Sequence, residues 1–131
     1  MIKTYLLAFA TIFAATSGLA TGGIYCDGIS EDSVSAYLTV GRVPGFAVVD
    51  TQIVAAGRAW SMSAQDSSEQ IVLVQGAIAG EFIVADFADA NVEEVVASLR
   101  LVRIESAFGA IASGVLSIPS VGAWPVVCES E

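Results

Sequence analysis

Short apolar runs follow one another along most of the chain, separated by stretches rich in Gly, Pro, Asp and Asn. Val and Ile are prominent inside the runs, and the turn-forming residues recur at regular intervals. This pattern is typical of an antiparallel sheet that folds onto itself, so it predicts a mainly β domain, either a small antiparallel β-sandwich or a barrel. The predicted strand segments are Ala36–Val40, Phe46–Ala56, Ala59–Ser63, Gln70–Gln75, Glu81–Phe87, Val95–Ile104, Ala110–Ile118 and Ala123–Cys128.

The segment 92–101 fits two structures. Asn91 and Glu94 have the spacing of a helix cap, and the apolar positions Val92, Val95, Val96 and Leu99 have helical spacing. Read as a strand, the segment alternates, and one face holds Val95, Ala97, Leu99 and Leu101. The β-branched content favours the strand, with one short helix over 92–101 as the alternative.

Large apolar residues near the middle of the runs are the expected core. They are Trp60, Ile71, Leu73, Ile83, Leu99, Leu101, Ile111, Leu116 and Trp124. The run Ile71–Val74 is apolar at every position, which is typical of a central strand covered on both faces. We therefore expect this run to be buried on both sides.

The first twenty residues, Met1 to Ala20, have the three parts of a secretory signal peptide. Lys3 supplies the positive charge, an apolar stretch follows, and Gly18 and Ala20 are small residues placed for cleavage before Thr21. A membrane-spanning helix needs about 20 apolar residues, and this apolar stretch is shorter. We expect a cleaved signal peptide over 1–20 and a periplasmic or secreted protein.

The remaining residues, 21–131, have the length of a single domain. Cys26 and Cys128 lie near the two ends of that domain, and no other cysteine is present. In an exported chain, two cysteines most simply form one disulfide. We therefore predict a Cys26–Cys128 disulfide that ties the first segment to the last.

The charge is strongly negative, with fourteen Asp and Glu against five Lys and Arg. Such a surface repels nucleic acid and anionic membranes, but it keeps a protein soluble and suits a basic protein partner. The chain has no histidine. This absence excludes Ser-His and Cys-His nucleophiles and the commonest zinc ligand. We expect no cofactor and no enzymatic activity.

The densest polar cluster is Asp86–Glu94. The calcium-ligand candidates in it are Asp86, Asp89, Asn91 and Glu93, because carboxylate and amide oxygens at alternate positions open a calcium loop. The match is incomplete, since Glu94 and Arg100 stand where such a loop needs Gly and Glu. We interpret the cluster as a turn whose side chains bind local backbone amides, with a calcium site or a carboxylate-only hydrolase as alternatives.

Periplasmic lysozyme-inhibitor barrels share the small size, export signal and disulfide expected of this chain. Their Ser-Gly motif with a following aromatic residue has no clear counterpart here, because Ser113-Gly114-Val115 lacks the aromatic residue. Inhibition of a basic enzyme is therefore an alternative to the main expectation. That expectation is a binding or structural protein of the envelope, without catalysis.

Overall fold

The computed structural model describes residues 22–41, 43, 45–63 and 67–130. These residues contain nine β-strands and no helix. The predicted signal peptide, Met1 to Ala20, and its cleavage point before Thr21 lie outside the described residues. The strands are β1 (Gly22–Gly28), β2 (Ser35–Gly41), β3 (Ala47–Ala55), β4 (Arg58–Ser61), β5 (Glu69–Ala79), β6 (Phe82–Asp89), β7 (Val95–Ser106), β8 (Gly109–Ile118) and β9 (Gly122–Ser130).

The strands form a closed barrel in chain order, because β9 pairs with β1. Neighbouring strands are antiparallel, as the short turns between them require, except that β4 and β5 are parallel. That pair is limited to Trp60 with Glu69 and Ser61 with Gln70. The mainly antiparallel β architecture predicted from the sequence is confirmed, and of its two forms the barrel is correct.

Alternation along each strand separates an inner from an outer face. On β7, Leu99 and Leu101 point inward, and Leu99 lies opposite Leu116 of β8. Removing a side chain of this size from water stabilises a fold by about 1.5–3 kcal/mol. Similar residues from the other strands fill the interior, so the middle of the barrel is a packed core.

Most of the core prediction is confirmed. Six of the predicted residues are buried, namely Trp60, Ile71, Ile83, Leu99, Leu101 and Leu116. Leu73 and Trp124 are half-buried and pack against the core. The prediction that Ile111 is a core residue is wrong, because Ile111 pairs with Ile104 on the outer face of the β7–β8 hairpin and is 53% exposed.

The run Ile71–Val74 is not covered on both sides. Ile71 is buried, but Val74 is exposed on the outer wall. The physical reason is that a single barrel has only one covered face, so an outward residue of any strand meets solvent.

The ambiguous segment 92–101 is a strand from Val95 onward, so the helical alternative is wrong. Residues 90–94 form the turn between β6 and β7. Ala97, Leu99 and Leu101 are buried as the strand pattern predicts, whereas Val95 at the start of β7 is exposed. Pairing with β6 and β8 satisfies the backbone of this segment on both sides.

The predicted disulfide is present between Cys26 on β1 and Cys128 on β9. Both side chains are fully buried. A structural disulfide indicates an oxidising environment of the extracellular type. In the part of the chain that the structure describes, no helix has the length and apolar character needed to cross a membrane.

The barrel has two ends, which we call the mouth and the base. At the mouth, β1 begins at Gly22, β2 ends at Gly41 and β9 ends at Ser130. The base carries the connections 29–34, 56–57, 90–94 and 119–121. The two ends differ in their polar groups, and this difference defines the candidate site.

Candidate functional site

A cavity of about 190 Å³ opens at the mouth of the barrel. Its apolar floor is formed by Ile24 and Ile83, which are buried core residues. The other described residues that line it are Gly22, Gly23, Val40, Gly41, Phe46, Ile78, Arg103 and Ser130. Barrel mouths are a usual place for small-ligand sites, because the core ends there and the strands continue as walls.

The cavity exists because few large side chains reach the barrel axis near the mouth. Gly22 and Gly41 contribute no side chain to the wall. The ring of Phe46 lies against Gly76 of β5, where an added Cβ would be 3.2 Å from Phe46 Cδ1. A larger residue at position 76 would therefore displace this ring from the wall of the cavity. Phe46 packs against the core from this position.

Arg103 is the single charged side chain among the described residues that line the cavity. It lies on the inner face of β7, two residues beyond Leu101, and pairs with Ala112 of β8. Its backbone N–H donates to the carbonyl of Glu81, 2.7 Å away. The backbone of Arg103 is therefore held at the mouth both by the β5–β6 turn and by pairing with β8.

The guanidinium of Arg103 is only partly satisfied. Nη2 lies 2.7 Å from Oε1 of Glu105, a carboxylate that is largely exposed. Nε is buried and has no hydrogen-bond acceptor among the described residues. A buried donor without an acceptor costs about 1–3 kcal/mol. The mouth therefore combines an apolar cavity with a cation that has an unused donor.

The base has a depression of about 150 Å³ between Arg58, Trp60 and the 119–121 turn, and a larger, open one of about 570 Å³ beside Gly57, Arg58 and Glu69. The cation at this end, Arg58, already has a carboxylate partner. Nη2 of Arg58 lies 2.9 Å and 2.7 Å from the two carboxylate oxygens of Glu69, and its Cζ is 4.9 Å from the centre of the Trp60 ring. This ion pair covers the buried Trp60 and makes the base a poorer place for an anion than the mouth.

The predicted calcium candidates are divided between two places. Asp86 is on the outer wall, where Arg100 donates to its two carboxylate oxygens over 2.7 Å and 3.0 Å. The hydrogen bonds from Arg100 lower the pKa of Asp86 below its ordinary value, although burial opposes this shift. The carboxylate of Asp86 is thus committed to a structural ion pair.

Asp89, Asn91 and Glu93 lie in or next to the β6–β7 turn. Oδ1 of Asp89 accepts a hydrogen bond from the backbone N–H of Glu93 over 2.9 Å. The backbone of Asp89 also bonds to Val92 and Glu94. This is the local backbone binding expected for a polar turn. Across the described residues, no three His, Cys, Asp or Glu side chains are grouped as a metal ion would need.

The stretch Ser113-Gly114-Val115 lies inside β8 and is paired with both β7 and β9. Gly114 points inward, and a Cβ at this position would overlap the carbonyl oxygen of Arg100. The stretch is therefore a closely packed part of the wall and not a protruding loop.

Arg103 and the mouth cavity are absent from the sequence-based site prediction. One signal was present: the alternation that places Leu99 and Leu101 inward also places Arg103 inward. An arginine on the inner face at a strand end is unusual. The cavity itself is formed by strands that are distant in the sequence, and no local sequence pattern predicts how those strands come together.

Comparison of the chain with protein-family models, with curated proteins and with solved structures found no match.

Proposed function

We propose that the protein is exported and binds a small apolar ligand in the mouth of its barrel, without catalysing a reaction. The mouth cavity is the observation that carries this proposal. A protein core normally contains few voids, so an apolar cavity that opens to solvent is a ready binding site. Binding would remove the surfaces of Ile24 and Ile83 that face the cavity, and those of the ligand, from water.

The proposal of export rests on the disulfide and on the predicted signal peptide. Cleavage before Thr21 would leave an amino terminus one residue before Gly22, which lines the cavity. Intact-mass analysis of the periplasmic or secreted fraction tests this part. We expect a chain that starts at Thr21 and lacks the hydrogens of two free thiols. A full-length, reduced chain would contradict export.

The absence of catalysis is proposed from the polar groups near the cavity. Among the described lining residues, only Arg103 carries a charge. An arginine cannot act as a general base, because its guanidinium stays protonated in proteins and has only donors. Acid–base chemistry would need a carboxylate that faces the bound ligand.

Thermal unfolding in the presence of 1-hexanol or 1-octanol tests binding. A ligand that binds only the folded state raises the melting temperature in a saturable, concentration-dependent way. Ile78→Trp places a large ring in the mouth and should abolish the increase. Val115→Trp is the matched control, because Val115 has similar exposure but lies on the outer wall.

The two variants separate specific binding from a general effect of the alcohol. Loss of the temperature increase in Ile78→Trp alone supports binding at the mouth. An equal increase in both variants, or none in the unmodified protein, would contradict the proposal.

A further inference from the structure

We infer that the ligand of the mouth cavity is a straight-chain monocarboxylate of about six to eight carbons, held by Arg103. This inference rests on the proposed function and adds the chemical class of the ligand. Two observations carry it, the volume and lining of the cavity and the state of the Arg103 guanidinium.

The volume sets the size of the ligand. A dry apolar cavity of about 150 Å³ binds benzene. The mouth, at about 190 Å³, therefore accepts an aliphatic chain slightly larger than benzene. Ile24 and Ile83 form an apolar floor below Arg103, so the chain would point into the barrel and its polar end would stay at the rim.

The guanidinium of Arg103 determines which polar group the ligand carries. Nε and Nη2 form one edge of an arginine and can donate to both oxygens of a carboxylate. Glu105 contacts Nη2, and Nε has no acceptor among the residues that the structure describes. Because Nε is covered by protein atoms, the guanidinium would turn toward the cavity on binding; a ligand carboxylate would then supply the acceptor for Nε and share or take Nη2 from Glu105. A neutral alcohol has a single oxygen and cannot bind both nitrogens in this way.

Other acidic side chains near the rim oppose an anion. Glu81 and Glu105 lie with Arg103 around a neighbouring depression on the outer side of the mouth. A site dominated by these carboxylates would prefer a cation. Arg103, whose side chain is 36% exposed but whose Nε is buried, outweighs two more exposed carboxylates, whose effect solvent screens.

Isothermal titration of the oxidised protein with octanoate, 1-octanol and n-octylammonium at pH 7 tests the inference. The three probes each have eight carbons in a straight chain and differ in the polar end. We expect octanoate to bind at least about tenfold more tightly than 1-octanol, since a charge-assisted bidentate pair supplies the difference. We expect n-octylammonium to bind most weakly.

Three variants assign the effect to Arg103. Arg103→Met has similar length and removes the unpaired donor, so it should stay folded and bind octanoate no better than 1-octanol. Glu105→Gln removes the competitor for Nη2 and should tighten octanoate about threefold while leaving 1-octanol unchanged. Arg103→Lys keeps the charge but not the paired donors and should show an intermediate preference for octanoate.

The outcomes distinguish the ligand class from the site. Equal binding of octanoate and 1-octanol, or tighter binding of n-octylammonium, would overturn the carboxylate inference and leave the proposed function standing. Failure of all three probes to bind would overturn both. Octanoate preference that persists in Arg103→Met would also overturn the inference, because the anion would then be held elsewhere.

Discussion

Cys26 and Cys128 lie directly opposite each other on the first and last strands, with their Cα atoms 4.0 Å apart. The disulfide between them crosses the seam where the barrel closes. It joins residues 102 positions apart in the sequence. It therefore reinforces the one strand pair whose partners come from the two ends of the chain.

Replacing both cysteines with alanine should lower the free energy of unfolding by about 2–5 kcal/mol, because a cross-link that closes a loop of this length restricts the unfolded chain strongly. Urea unfolding of the oxidised protein and the double variant measures the difference. Equal stability would contradict the role of the disulfide in closing the barrel.

The bond should also resist reduction while the barrel is folded. Both sulfurs are fully buried, so a soluble thiol has no direct access to them. Alkylation after incubation with a mild reductant should label the cysteines only at urea concentrations that unfold the protein. Labelling of the native protein at the same rate would contradict this expectation.

Asp86→Asn should destabilise the barrel by about 1 kcal/mol, a value reduced because the guanidinium of Arg100 is half-exposed. Folding lowers the pKa of Asp86 below its ordinary value of 3.8. The ion pair therefore contributes fully above that value, and its contribution is lost as the pH falls through the lower pKa of the folded state.

The unfolding free energies of the native protein and Asp86→Asn should accordingly converge as the pH falls below 3.8. Glu93→Gln is the control, because that side chain is exposed in the β6–β7 turn. A constant difference between the native protein and Asp86→Asn at all pH values would show that charge is not the cause.

Eight of the nine described strands could be predicted from the sequence because each carries its own signal, whereas the glycine-containing β1 (Gly22–Gly28) is not among the predicted segments. The alternation through Ala97, Leu99 and Leu101 identifies the inner face of β7 without reference to any other strand. Ile111 shows what residue type alone cannot decide. It is a large apolar residue in an apolar run, but it lies five positions before the inward Leu116, so alternation along β8 places it on the outer face.

The candidate site could not be predicted in the same way. Ile24, Ile83 and Arg103 come from three strands and meet only when the barrel closes. The acidic cluster attracted attention because its residues are close in sequence. In the fold, Asp86 and Asp89 bind a neighbouring guanidinium and a backbone amide, respectively.

Val92→Gly should stabilise the protein by up to about 1 kcal/mol. Val92 has a φ of 57°, a left-handed conformation that costs an L-residue about 1–2 kcal/mol, and its side chain is exposed. Ala90→Gly in the same turn is the control and should destabilise slightly, since it only increases the freedom of the unfolded chain. Chemical unfolding compares the two variants, and destabilisation by Val92→Gly would contradict the strain.

Gly114→Ala should destabilise the barrel by about 1–3 kcal/mol, because the added Cβ would overlap the Arg100 carbonyl and force β7 and β8 apart. Ser113→Ala tests the neighbouring outward position and should have little effect. A fully stable Gly114→Ala variant would contradict the close approach of β7 and β8 at this position.

The most direct test of ligand binding at the mouth is a residue-resolved titration. Octanoate is added to the ¹⁵N-labelled, oxidised protein while backbone amide signals are followed by NMR. We predict saturable shifts at Gly22, Gly41 and Arg103, with Glu94 and Ser120 at the base unchanged. Shifts confined to the base or the outer wall, or no shifts with octanoate and none with 1-octanol or n-octylammonium in the same experiment, would contradict a ligand site in the mouth of this barrel.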